Sequence, residues 1–204
     1  LVMAKDFHGR GLLRAAVLVP WAIPTAITAK LWAFLFSEQG IVNSIFHAHV
    51  AWQTDPWAAR FSIILADVWK TTPFMALLIL AGLQMIPKDL YEAARMDGAN
   101  AWQRFTRITL PLAKNSIIVA VLFRMLDALR MYDLPYIMVG PNPDSPTATL
   151  SQLVVAAIRQ DHVNAASALS TLIFLLIFLI ALCFVKSLGS KVAHQAERFV
   201  SEEE

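Results

Sequence analysis

Charge is scarce in this chain. Asp, Glu, Lys and Arg make up 16% of its 204 residues against 57% hydrophobic, and the mean hydropathy is +0.56. A soluble domain of this length has no use for so much apolar surface, so the composition excludes one and indicates a membrane protein. Cysteine is nearly absent. Cys183 stands alone inside an apolar run, which rules out a disulfide framework and a Cys-based metal site and leaves a packed or lipid-facing small side chain. Also missing are a Gly-x-x-x-x-Gly-Lys-Ser/Thr phosphate loop, a Gly-x-Ser-x-Gly elbow and a His-Glu-x-x-His pair. The chain therefore offers neither a nucleotide cradle nor a hydrolytic centre, and reads as no enzyme in its own right. His47-x-His49 invites a metal, but an i, i+2 pair points to different sides of a helix and no carboxylate or Cys stands nearby, so none is expected. The net charge of +2 carries no message about nucleic acid; the placing of the charges carries more.

What is present is a series of apolar runs. Residues 15–36, 60–85, 112–132 and 163–185 each supply about 20 residues or more, enough as helix to cross roughly 30 Å of hydrocarbon. The prediction is an all-α membrane protein, a polytopic transmembrane helix bundle forming a single domain over 1–204. Pro20 and Pro24 should kink the first span, and Lys30 near its far end can snorkel outward. Asp67, Lys70 and Pro73 interrupt the second span, Arg124 and Asp127 lie in the third, and the fourth is uncharged throughout. Between them, 37–59 reads as a loop with a short interfacial helix near 41–50. Residues 133–147, with Pro135, Gly140, Pro141, Pro143 and Pro146, read as an exposed loop that is not helical. Residues 149–158 form an amphipathic helix too short to span. A basic lead holding Lys5, Arg10 and Arg14 has no signal-peptide start, and an acidic Ser201-Glu-Glu-Glu tail ends the chain.

Positive charge sets an expected topology. Lys5, Arg10 and Arg14 precede the first span; Lys88, Arg95, Arg104, Arg107 and Lys114 cluster between the second and third; Lys186, Lys191 and Arg198 follow the fourth. Only Arg60 and Arg159 fall on the other side. That bias puts the 87–107 segment and both ends in the cytoplasm.

The segment 87–107 is a polar, compact elbow between two apolar spans. Pro87 can open a short helix, Ala93 and Ala94 give it a small-residue face, and Asp97-Gly98 supplies a left-handed turn to end it. A second short helix is predicted from near Asn100, with Trp102, Phe105 and Ile108 as its apolar edge. Glu92-Ala93-Ala94, then Gly98, then Ile108-x-Leu110-Pro111, resembles the cytoplasmic coupling loop of binding-protein-dependent ABC importer permeases. The longer string from Ile86-Pro87 to Asp97-Gly98-Ala99 with Trp102 and Phe105 is most similar to the carbohydrate-uptake branch. Trp69-Lys70-Thr71-Thr72-Pro73-Phe74-Met75, Leu122-Phe123-Arg124-x-Leu126-Asp127-Ala128-x-Arg130 and Tyr132-Asp133 look like the trehalose/maltose-type sugar permeases. The family's Thr-x-Gly-Gly-Pro after the third span stands here as Met138-Val139-Gly140-Pro141, a departure within the outer loop.

The resemblance implies the helical bundle of a type I importer permease, with further transmembrane sequence ahead of residue 1. It implies a second permease subunit, two ATPase subunits that bind ATP and Mg in place of this chain, and an extracytoplasmic solute-binding protein. The site would be the bacterial cytoplasmic membrane. The elbow would sit in a groove of an ATPase subunit, with Glu92 as charged anchor, Ala93 and Ala94 as close-approach surface, and Asp97-Gly98 as the turn that sets its angle. The solute would be an α-linked disaccharide such as trehalose or maltose, the alternative being a polyol, glycerol phosphate or amino acid.

The intramembrane charges form a second constellation. Asp67 and Lys70 share one helix face at i, i+3, as do Arg124 and Asp127, and all four fall roughly 9 to 15 Å below the outer surface by helix rise. Charges at that depth must pair or face a hydrated path. Asp67 and Arg124, at nearly equal depth, are the expected bridge, with Asp127 about a turn shallower and open to solute. Three readings stay open: a salt-bridge network locking two spans; a sugar site in which Thr71 lies beside these charges and Trp69, Phe74 and Tyr132 offer flat faces to a pyranose; and a gate.

Overall fold

The structure, a computed structural model, describes residues 8–47 and 49–201, with side chains up to Lys186. Lys5, the side chains of Arg10, Lys191 and Arg198, and the acidic residues 202–204 lie outside the described residues. Among the described residues ten α-helices run in order: α1 Arg10–Ala22, α2 Thr25–Leu35, α3 Ile41–Phe46, α4 Pro56–Gln84, α5 Lys88–Met96, α6 Ala101–Arg104, α7 Leu110–Leu129, α8 Asp133–Met138, α9 Leu150–Arg159 and α10 Val163–Ser201, with a π-helical turn Phe105–Thr109 joining α6 to α7. Among the described residues three rods are long and apolar enough to cross a membrane: α4, the continuous run Ala101–Leu129, and Val163–Lys186 within α10. The pair α1 and α2 makes a fourth only as a broken span, bent by 85°.

Local chemistry explains the helix ends. Asp55 caps α4 by accepting from the Trp57 and Ala58 amides at 3.1 and 2.8 Å, with Pro56 at the first helical position, where its missing N–H costs nothing. Thr149 and Gln152 close a capping box on α9, and the Thr149 hydroxyl also donates to the Met131 carbonyl at 2.8 Å, fastening α9 to the end of α7. The break between α1 and α2 sits at Ile23-Pro24, not at Pro20, which stays inside α1. Pro24 forces the residue before it out of the helical region, and Ile23 is extended at φ −70°, ψ 132°.

The segment 133–147 departs from expectation. Its first six residues are helix α8, with Leu134, Pro135 and Met138 buried. Pro135 lies in the first turn, where a helix makes no use of its amide, and α8 docks on α2 so that Leu134 and Met138 join Ala29, Phe36, Ile63 and Ala66 in one apolar cluster. Burial overrides the run of prolines. The predicted outer arginines hold this region down: Arg60 Nε donates to the Pro146 carbonyl at 3.2 Å and Arg159 Nη1 to the Tyr136 hydroxyl at 2.7 Å. In the 37–59 loop the helix is shorter than expected, and buried Asn43 organises the rest of the loop. Its amide donates to the Glu38 and Val50 carbonyls while its oxygen accepts from Trp52 Nε1 at 2.7 Å.

Between the spans, α4 and α7 approach through small residues. A Cβ on Gly82 would lie 1.9 Å from the Ser116 hydroxyl oxygen, and Ala113 and Ala120 are buried in α7 at spacings that flank Ser116. Lipid supplies no hydrophobic drive between such helices, so close backbone approach and dispersion hold them. By contrast the most apolar stretch of α10 is not buried inside the chain.

Candidate functional site

The α1–α2 break, the N-terminal half of α4 and the end of α7 enclose a cavity of about 500 Å³, within the roughly 300–1,000 Å³ usual for small-molecule sites. Trp21, Ile23 and Pro24 form the wall at the break, and Asp67, Lys70 and Thr71 the wall on α4. Asp127, Arg130, Tyr132 and Asp133 close it from the end of α7 and the start of α8.

Arg124 is the electrostatic centre. Its Nη2 pairs with Asp67 across the helix contact and its Nη1 donates to Asp127 Oδ2 at 2.9 Å on its own helix. Asp67 and Arg124 are 12% and 23% exposed in their side chains, but Asp127 is 65% exposed, so one guanidinium serves a buried and an open carboxylate at once. The expected Asp67–Arg124 bridge is present, and Asp127 is not independent of it. Lys70 does not turn to Asp67: its ammonium donates to the Ile23 carbonyl at the helix break, at 2.6 Å. The Thr71 hydroxyl donates to the Asp67 carbonyl at 2.7 Å within α4.

Two of the three aromatic candidates stand away from the cavity wall. Trp69 meets Trp32 edge-on at 5.8 Å and Phe74 stacks on Trp21 at 5.9 Å; both hold α4 to the first two helices. Tyr132 does line the cavity, stacks on Tyr136 at 5.0 Å, and also borders a smaller pocket of about 160 Å³ that Gln152 and Arg159 share. Trp21, Arg130 and Asp133 join the wall without having been singled out as sites. Arg130 and Asp133 continue the three-residue spacing from Arg124 and Asp127, which could have marked them, but they read as the end of a span.

The elbow is built from its own sequence. Helix α5 ends in a Schellman closure, with the Ala99 amide on the Ala94 carbonyl at 2.9 Å, the Gly98 amide on the Arg95 carbonyl at 3.0 Å and Gly98 at φ +76°. Asn100 and Gln103 then form a reciprocal capping box. The helix this opens is no separate element. It runs through the π turn into α7, and the Thr109 hydroxyl meets both the Arg104 carbonyl at 3.4 Å and the Tyr91 hydroxyl at 3.0 Å. Nothing in α5 is buried: Glu92, Ala93, Asp97 and Gly98 are exposed and Ala94 is half-buried. Met96 and Trp102 beside them are 89% and 70% exposed.

Residues 1–194 match the family described as binding-protein-dependent transport system inner membrane component. The chain is 44% identical over 191 residues to the trehalose/maltose transport system permease protein MalF of Thermococcus litoralis, covering 91% of this chain and 65% of that protein. It is 39% identical to the trehalose transport system permease protein SugA of Mycobacterium tuberculosis, covering 93% and 62%. It is also 39% identical to the sulfoquinovosyl glycerol transport system permease protein SmoG of Agrobacterium fabrum, covering 88% and 60%. The chain thus spans less than two thirds of the length of these curated relatives. Its all-α fold is similar to a chain of a bacterial ABC transporter involved in the import of the acidic polysaccharide alginate, with a TM-score of 0.80 and 25% identity over 91% of this chain and 68% of that one. A second structure of a bacterial alginate ABC transporter, in complex with an alginate pentasaccharide-bound periplasmic protein, aligns with a TM-score of 0.78 and 25% identity over 90% and 67%.

Proposed function

The chain belongs to the family of binding-protein-dependent transport system inner membrane components, and from that premise we propose that it is the transmembrane permease subunit of an ATP-driven sugar importer. The solute is an α-linked disaccharide of the trehalose or maltose kind. The observation that carries this reading is the cavity of about 500 Å³ beside the paired spans, where the Asp67, Asp127 and Asp133 carboxylates, the Lys70 and Arg130 cations and the Tyr132 ring converge. Sugar hydroxyls both donate and accept, so a wall mixing carboxylates with cations matches them, and the charge-assisted bonds it makes are the strong ones. Exposed Asp127 and half-buried Tyr132 meet solute; Asp67 and Arg124 chiefly tie α4 to α7.

Energy comes from elsewhere. ATP and Mg are held by two partner ATPase subunits, against which the elbow docks through Glu92, Ala93, Ala94, Asp97 and Gly98, with Met96 and Trp102 supplying apolar contact. A second permease subunit covers the open side of the cavity, and an extracytoplasmic binding protein delivers solute to the face carrying α8 and α9. The elbow and the C-terminal end lie in the cytoplasm. Relatives named for a sulfo-sugar glycoside and an acidic polysaccharide favour a second reading, an anionic sugar held by Arg130 and Lys70.

Proteoliposomes holding the complex that co-purifies with the chain, supplied with its binding protein and internal ATP, test both. Labelled trehalose or maltose should accumulate and each should compete with the other. Accumulation of an acidic sugar alone would move the assignment to the second reading, and uptake of an amino acid or polyol but no sugar would overturn it.

A further inference from the structure

The right-angled break in the first span leaves a problem that the fold must solve. A helix end exposes its last carbonyls, and in a bilayer each unsatisfied backbone group is costly. Pro24 has no N–H, so the Pro20 carbonyl cannot receive its usual partner, and the Ile27 and Thr28 amides both turn to the Pro24 carbonyl as α2 restarts. Lys70 enters at this point. Its ammonium, carried on α4 and 47 positions away in sequence, donates to the Ile23 carbonyl at 2.6 Å. A cation there also meets the negative end of the α1 dipole.

We infer that Lys70 is a positioning residue whose ammonium terminates α1 and holds the break open, and that the solute cavity exists in this shape because of it. The break supplies Trp21, Ile23 and Pro24 to the cavity wall, and Lys70 lies on the same wall. Were the span straight, these residues would run past α4 as one rod. Stacking of Trp21 on Phe74 at 5.9 Å steadies the end of α1 against α4 but gives its carbonyls no donor. Only the identity of the cavity as the solute site rests on the transport reading; the bend itself is independent of which solute passes.

The bend can be read directly. Spin labels at Leu12→Cys and Phe34→Cys, both exposed positions, in a Cys183→Ala background of the full chain in nanodiscs with its co-purifying subunits, should lie about 24 Å apart at the 85° bend and about 33 Å apart in a straight helix by rise per residue. Lys70→Met should shift the distance towards the longer value, whereas Lys70→Arg, which keeps a cationic donor, should hold the shorter one. An unchanged short distance in Lys70→Met overturns the inference. If Lys70→Met cannot be recovered from membranes, Pro24→Ala is added, which restores the missing amide and lets the helix satisfy its own carbonyls. Recovery of Lys70→Met/Pro24→Ala with the long distance supports a capping lysine, and its continued loss assigns Lys70 another role. Because the readout is a distance, failure of sugar uptake and failure of this inference are separate results.

Discussion

The turn at Gly98 closes through backbone bonds of three to five positions, whereas Lys70 reaches 47 positions to Ile23 and Arg124 reaches 57 to Asp67. The elbow and the cavity are thus made by different means. Nothing in α5 is buried, so caps and one left-handed glycine must shape it. The cavity draws its walls from the α1–α2 break, α4, and the α7–α8 junction, and no single one of these forms a site. A self-shaped element keeps its form against a partner, and because its second half runs on into α7 a push on it reaches the bundle. A site assembled across helices changes when the helices move. That pairing of a rigid handle with a deformable cavity suits the transport role proposed above.

The contrast is sharpest where a single side chain serves two walls. Arg124→Leu should give the largest effect, because it strands the part-buried Asp67 carboxylate and frees Asp127. Removing one partner of a buried pair typically costs about 3 to 5 kcal/mol, and the exposure of Arg124 places the loss at the lower end. Membrane abundance and thermal stability of the purified complex should both fall, and Arg124→Leu combined with Asp67→Leu should recover part of the loss. Equal loss in the single and double variants would remove the bridge as a source of stability.

Gly98→Val attacks the other side of the contrast. No atom lies within 4 Å of a Cβ built there, so the penalty is backbone strain at φ +76°, about 1 to 2 kcal/mol, confined to the elbow. Abundance should stay near normal while solute-stimulated ATP hydrolysis drops several-fold in reconstituted complex. A variant that hydrolyses and transports normally would deny the elbow its coupling role.

The smallest expected effect on stability is Asp127→Asn. With its side chain 65% exposed, its bond to Arg124 is worth less than about 1 kcal/mol after solvent screening, so abundance should hold. Uptake should instead show a raised KM, since an amide accepts more weakly than a carboxylate from sugar hydroxyls. A fall in abundance matching that of Asp67→Asn would merge Asp127 into the structural bridge.

Much of the elbow was legible beforehand, because a helix opened by Pro87, ended by Gly98 and followed by an Asn100-x-x-Gln103 cap is specified by neighbours in the chain. The cavity was legible only in part. Asp67, Lys70, Arg124 and Asp127 announce themselves as charges in apolar spans, yet spacing only puts Lys70 on one helix face with Asp67 and names no partner for it, and the fold sends it to a backbone carbonyl on another helix. Trp69 and Phe74 looked like sugar platforms, and the packing of α1 and α2 uses them as struts. The count of prolines in 133–147 points to a wholly non-helical segment, but Pro135 falls in the first turn of α8, where its missing amide costs nothing.

Sequence by itself determined the all-α class, the near positions of the long apolar rods, the elbow and the identity of the intramembrane charges. These follow from composition, from helical rise against bilayer thickness and from bonds between near neighbours. Tertiary structure alone decided that the first span breaks by 85°, that α8 folds on α2, that Lys70 takes its partner on another helix, and that Arg124 serves Asp127 as well as Asp67. The physical reason is reach. A charge in an apolar helix must find a partner, but which donor or carbonyl lies within about 3 Å depends on how separate helices meet, and no pattern of neighbouring residues records that.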